Sequence, residues 1–156
     1  MTLLERGDLL RQLHEALSHA DTARGQCVLI GGEAGAGKSA LLAQFFAEAM
    51  HQARVLIGTC DPVATPPPLG PFLEVAAALN ELPPASPVAW RALFLGQSST
   101  VILALEDIHW ADEATLDLIR YLARRLAGIR LLLLATYRDD EVSGVHPVRA
   151  LLGDLG

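Results

Sequence analysis

Apolar residues alternate along the chain between helical spacing and short unbroken runs. Leu9, Leu10, Leu13 and Leu17 recur at helical spacing and predict an amphipathic helix over Leu3 to Ala20, with Asp8 as its N-cap. Gln26 to Ile30 is a buried strand ending in glycines. Leu41, Leu42, Phe45, Phe46 and Ala49 give the helix from Lys38 to Met50 one apolar face. Val55 to Ile57 is a second strand. Asp61 to Pro71 holds Pro62, Pro66, Pro67, Pro68 and Pro71 and is a loop. Phe72 to Asn80 and Val88 to Leu95 are short helices around a second proline-rich break.

Val101 to Leu105 is a third strand, and it runs into Glu106 and Asp107. Asp112 suits the N-cap of a helix through Leu116, Ile119, Leu122 and Leu126, stopped by Gly128. Ile129 to Thr136 is a fourth strand, and Val148 to Leu155 opens another helix. None of the four strands alternates apolar with polar residues. That pattern belongs to a parallel sheet covered on both faces, so the fold class expected is α/β in three layers.

The 156 residues favour one domain. With 51% hydrophobic and 19% charged residues, against about 25% charged in typical domains, the chain is not disordered. A net charge of -6 excludes bulk electrostatic binding of nucleic acid or acidic lipid as its main activity. Cys27 and Cys60 are too few for a disulfide scaffold and suit a reducing cytosol, so a cytoplasmic location is expected. The longest uncharged stretch near the middle, Ala92 to Leu105, is 14 residues, short of the roughly 20 that a membrane span needs. Glu5, Arg6 and Asp8 stand where a signal peptide would need an apolar core.

The 12 basic residues are 11 arginines and one lysine, Lys38. That lysine lies in Gly32-Glu33-Ala34-Gly35-Ala36-Gly37-Lys38-Ser39, which matches G-x-x-x-x-G-K-[S/T] between a strand and a helix. Glycines here allow a tight turn whose N–H groups point inward, and the helix N-terminus adds positive potential for phosphate. Lys38 is a compact charge suited to the β- and γ-phosphates of a nucleotide, where a planar guanidinium would be too bulky. The Ser39 hydroxyl suits Mg²⁺.

Val101 to Asp107 has the form of a Walker B strand. Successive strand residues face opposite ways, so Glu106 and Asp107 are expected to differ in role, one near Mg²⁺ and one near an attacking water. Thr136, Tyr137 and Arg138 end the fourth strand, where ligands of open α/β sheets bind. Arg138 is either a phosphate sensor or a strand-end partner of Asp139 or Asp140. Arg120, Arg124, Arg125 and Arg130 read as a solvated face. His14, His19, His51, His109 and His146 lack metal-ligand spacing and read as surface or capping residues.

Leu3-Leu4-Glu5-Arg6, the P-loop, the run from Leu105 to Asp117 containing E-D-x-H-W-A-D, and Ala135 to Glu141 together resemble the N-terminal ATPase module of large ATP-binding LuxR-type transcriptional regulators. This AAA/STAND-like module is similar to that of soluble adenylyl cyclases and some bacterial kinases. The resemblance covers nearly the whole chain. It implies a three-layer P-loop NTPase that binds ATP or ADP with Mg²⁺. Gly32 to Ser39 would bind nucleotide, Ser39 and Glu106 the metal, and Asp107 the attacking water. Arg138 would stand at the sensor position, with Leu4 to Arg6 near the adenine.

The implied strand order is 5-1-4-3-2. The fifth strand, the helical lid, the repeat region and the DNA-binding helix-turn-helix of that family are absent from this sequence, so residues 1–156 are expected to be one truncated ATPase domain. Three expectations follow: DNA contact only through the missing domain, self-association through the exposed first strand, and slow or no turnover. The rival readings are a non-catalytic nucleotide-binding or interaction domain and a fragment of a cyclase- or kinase-type signalling protein.

Overall fold

The computed structural model describes residues 3–33, 35 and 37–155. In chain order the elements are α1 (Leu3–Asp21), β1 (Gln26–Gly32), α2 (Lys38–Ala49), β2 (Arg54–Thr59), α3 (Gly70–Ala78), α4 (Pro87–Leu95), β3 (Val101–Glu106), α5 (Glu113–Ala123), β4 (Leu131–Arg138) and α6 (Pro147–Leu155). Single 3₁₀ turns cover Ile108–Trp110 and Asp139–Glu141. The strands form one sheet in the order β1-β4-β3-β2, and every pairing is parallel. This matches the expected order over its four strands.

Strand parity sorts the core into two layers. Ile102, Ala104, Leu132 and Leu134 face α1 and α2, where they meet Leu13, Leu17, Leu41, Leu42 and Phe45. Val101, Leu103, Leu105, Leu131, Leu133 and Ala135 face the opposite way, toward residues of α3 to α6 such as Phe72, Trp90, Ile119 and Leu151. Both faces of β3 and β4 are therefore dry, which is why their sequences are apolar without a break. Among the described residues, no helix is long and apolar enough to cross a membrane.

Three sequence expectations need correction. Asp8 does not cap α1, which begins at Leu3; it lies within the helix and pairs with Arg11 at 2.9 Å. The turn before Asp8 stays helical with Arg6 anchored on α2, its Nη2 donating to the Ala40 carbonyl. The fifth helix ends at Ala123 rather than Leu126, because the following residues pair with the α1–β1 turn. The Leu126 carbonyl accepts from Gly25, Gly128 donates to the Ala23 carbonyl, and Arg24 bridges to Ala127. The first strand runs two residues further, to Gly32, and the fourth begins at Leu131 rather than Ile129 and ends at Arg138 rather than Thr136, because the two pair with each other to that end.

Asp112 caps α5 as expected and does more. Its Oδ2 accepts from the Thr115 N–H at 3.1 Å and from the Leu69 N–H at 3.2 Å, and its Oδ1 accepts from the Thr115 hydroxyl. It thus ties the start of α5 to the residue before α3. Asp112→Ala should lower stability by about 1–2 kcal/mol, or roughly 3–6 °C in Tm for a chain of this size. Thermal denaturation followed by circular dichroism measures this, and a loss under about 1 °C would show that the cap carries no weight.

Candidate functional site

All four strands run the same way, so their carboxyl ends share one edge of the sheet. The turn from β1 to α2 starts there. Gly35 and Gly37 adopt positive φ, 80° and 88°, a region that costs any residue with a Cβ. Gly37 is the N-cap of α2 and has no side chain with which to cap it. The first-turn N–H groups of α2 thus remain available to an anion.

The Lys38 ammonium folds back over the turn. It donates to the Gly32 carbonyl at 2.6 Å and to the Glu33 carbonyl at 3.2 Å. Ser39 follows it on α2, exposed to solvent, and Glu33 and Gly35 are exposed as well. Ala34 and Ala36 lie outside the described residues. Arg6 is half-buried beside this turn; its Nη2 reaches the Ala40 carbonyl at 3.0 Å, while its Nε is buried without a hydrogen-bond partner. A cationic turn with uncapped amides, a seated ammonium and an orphaned guanidinium N–H fits a polyanion.

Glu106 ends β3 and is half-buried, paired in register with Thr59 of β2. Burial raises its carboxyl above the ordinary range, the nearby Asp107 raises it further, and a hydrogen bond with the Thr59 side chain opposes both. Asp107 is not a strand residue. It turns into the left-handed region, φ 60° and ψ 46°, its N–H donates to the Thr136 hydroxyl at 3.0 Å, and its carbonyl accepts from Trp110. The two acids therefore differ because the chain turns between them, not through strand alternation. Aspartate tolerates this conformation better than most side chains.

The β1–β4 register sets Arg138 opposite Gly32, the residue whose carbonyl holds Lys38. The Arg138 guanidinium bonds Glu141 at 3.1 Å and lies 5.1 Å from the ring of Trp110, so its strand-end partner is neither Asp139 nor Asp140. Its backbone N–H donates to Nδ1 of His109 at 3.3 Å.

His109 is not the surface residue that its sequence context suggests: its side chain is 0% exposed. Burial pulls its imidazole below the ordinary histidine value. The signal for it lay in the E-D-x-H-W run, where an imidazole two residues after Asp107 follows that acid under the sheet edge. His146 does cap, with Nδ1 accepting from the Val148 N–H.

The remaining features are structural. Arg120 pairs with Asp117 and Asp154, Arg124 reaches Asp154, Arg125 stacks on Tyr121, and Arg130 donates to the Ser98 carbonyl. Burial pushes the Cys27 thiol up to about 11. Burial and nearby acids, Asp112 foremost, push Cys60 up to about 12, so neither thiol is a nucleophile at neutral pH.

A family model described as an AAA ATPase domain matches residues 2–97, from α1 through the P-loop to α4. Among solved structures, Cdc6p from Pyrobaculum aerophilum superposes with a TM-score of 0.66 at 20% identity, over 99% of this chain and 44% of that chain. A chain of Drosophila ORC bound to DNA superposes at 0.61 with 16% identity, over 99% of this chain and 89% of that one. A chain from Drosophila ORC bound to AT-rich DNA and Cdc6 gives 0.56 at 16% identity, over 97% and 56%. At these identities the likeness is one of fold. The chain spans less than half the length of the archaeal Cdc6p. No curated protein matches it in sequence. With a parallel α/β sheet, a strand–P-loop–helix turn and a family match over more than half its length, the chain belongs to the AAA ATPase domain family.

Proposed function

We propose that this chain binds ATP with Mg²⁺ at the β1–α2 turn and serves as the regulatory ATPase switch of a LuxR-type transcriptional regulator. The observation that carries the binding site is the Lys38 ammonium held over the uncapped start of α2 by the carbonyls of Gly32 and Glu33. The N–H groups of the turn and of α2 would hold the phosphates, and Lys38 would exchange carbonyls for the β- and γ-phosphate oxygens. Ser39 and Glu106 would hold the metal, and Arg6 would lie on the base side. Mg²⁺, when bound, neutralises charge on the phosphate oxygens. Asp107 would orient a water for phosphoanhydride hydrolysis, slow enough to time a conformational switch.

The regulator assignment is supported by the E-D-x-H-W-A-D run and by Ala135 to Glu141. In it, DNA contact belongs to a helix-turn-helix domain outside these residues, and the protein works in the cytoplasm. Self-association is expected along β1, whose stretch from Gln26 to Ile30 is uncharged and free of proline at one edge of the sheet. A binding domain without turnover is the second reading, favoured by the bond that keeps Arg138 on Glu141.

ATP at 100 times its Kd should stabilise the protein by about 2.7 kcal/mol, and Lys38→Ala should lose that gain while keeping the fold. A thermal shift assay with Mg²⁺ reads this, and an equal shift in the variant would refute the site.

Glu106 gives a pH-dependent prediction. Its raised pKa means that its ionised form burdens the folded state. The favourable contribution is complete below the unfolded value near 4.5 and is lost as pH rises through the folded value. Glu106→Gln should therefore be more stable than the parent at pH 7 and equal to it near pH 4, while binding ATP less tightly in Mg²⁺. Asp107→Asn should spare binding and remove hydrolysis. Denaturation at both pH values, calorimetric titration and a phosphate-release assay measure these effects; a less stable Glu106→Gln at pH 7 would contradict the assignment.

A further inference from the structure

The polar groups around Arg138 are unequally satisfied. The backbone N–H of Arg138 donates to His109 Nδ1, and a backbone N–H can only donate, so that nitrogen carries no proton. The proton of the neutral ring is therefore on Nε2. Nε2 lies 3.3 Å from Glu141 Oε2 yet is not aligned to bond it, and it is buried with no hydrogen-bond partner. The other oxygen of the same carboxylate, Oε1, is taken by Arg138 Nη1 at 3.1 Å. Glu141 is thus shared between a cation it holds and a buried donor it leaves unsatisfied. An orphaned buried N–H is costly, and an ion pair about one-third exposed is weak, so the two demands on Glu141 compete.

We propose that Glu141 exchanges partners. In one state it holds Arg138 against Trp110. In the other, Arg138 turns to the terminal phosphate of ATP, and Glu141 rotates onto the Nε2–H of His109. This rests on the reading of the β1–α2 turn as an ATP site. The geometry for it is the pairing of Arg138 with Gly32, whose carbonyl accepts from Lys38, and the partial exposure of the Arg138 guanidinium. A terminal phosphate offers Arg138 two charge-assisted bonds in place of one. His109 and Glu141 are then positioning residues: they set where Arg138 sits and make its movement depend on the third phosphate, which ADP lacks.

Trp110 reports the exchange, because its ring lies 5.1 Å from the Arg138 guanidinium and 4.5 Å from the His109 ring. Its emission is isolated as the difference between the protein and its Trp110→Phe variant. Saturating ATP with Mg²⁺ should change that emission and saturating ADP should not, with binding of both measured separately by calorimetry.

Glu141→Gln should show the ATP-type emission without nucleotide and should favour ATP over ADP about two- to fivefold more than the parent does. His109→Asn keeps an acceptor near Nδ1 but has no donor at Nε2, and should lower that preference by a similar factor. If His109→Asn does not fold, Glu141→Gln decides alone. If ATP binds but Trp110 emission and the ATP-to-ADP ratio of Glu141→Gln stay unchanged, the exchange is wrong and the ATP site stands. If ATP does not bind, both are wrong.

Discussion

The pairing of β1 with β4, from Gln26 with Leu132 to Gly32 with Arg138, brings the P-loop turn and Arg138 to one edge of the sheet. Among the described residues β1 is the first strand and β4 the last, yet they lie side by side. Their shared register carries both strands past the apolar core to a common end. At that end the backbone of β1 turns into α2, and the backbone of β4 turns into the acidic run from Asp139 to Glu141. A slip of one residue would turn every side chain of β4 to the other face, sending Leu132 and Leu134 away from α1 and α2. The dry packing of both faces forbids that slip, so the core fixes the distance between the P-loop and Arg138.

Two features at that edge are held against local preference. Gly37 leaves the start of α2 uncapped, and Asp107 takes a left-handed backbone conformation. Ser86 and Asp112, which begin α4 and α5, each accept from the N–H three residues on, whereas Leu69 before α3 is uncapped like Gly37. At α2 the uncapped start coincides with the glycine turn and the Lys38 ammonium, a coincidence that the start of α3 lacks. The Nε2 of His109 is also buried without a hydrogen-bond partner, as are Arg6 Nε and Trp90 Nε1.

The fold was largely legible because its signals are local. Four unbroken apolar runs, glycine and proline clusters between them, and helical spacing in Leu41 to Ala49 required no knowledge of partners. The P-loop was legible for the same reason, since its residues act through their own backbone. What escaped the sequence depends on long-range contacts. Asp8 looked like a cap because the hold of Ala40 on Arg6 spans 34 positions. His109 looked like a surface residue because its burial requires the end of β4, 29 positions away. The partner of Arg138 was only three residues distant, but a 3₁₀ turn was needed to bring Glu141 to it in preference to the nearer Asp139 and Asp140.

The central claim is that phosphate is held where the β1–α2 turn meets the end of β4. Amide hydrogen exchange with and without ATP and Mg²⁺ tests it most directly. The account predicts slowed exchange across residues 32–40 and 136–141, with residues 82–99 around α4 unchanged. Protection confined to residues 82–99, or none at 32–40 under saturating ATP, would contradict it.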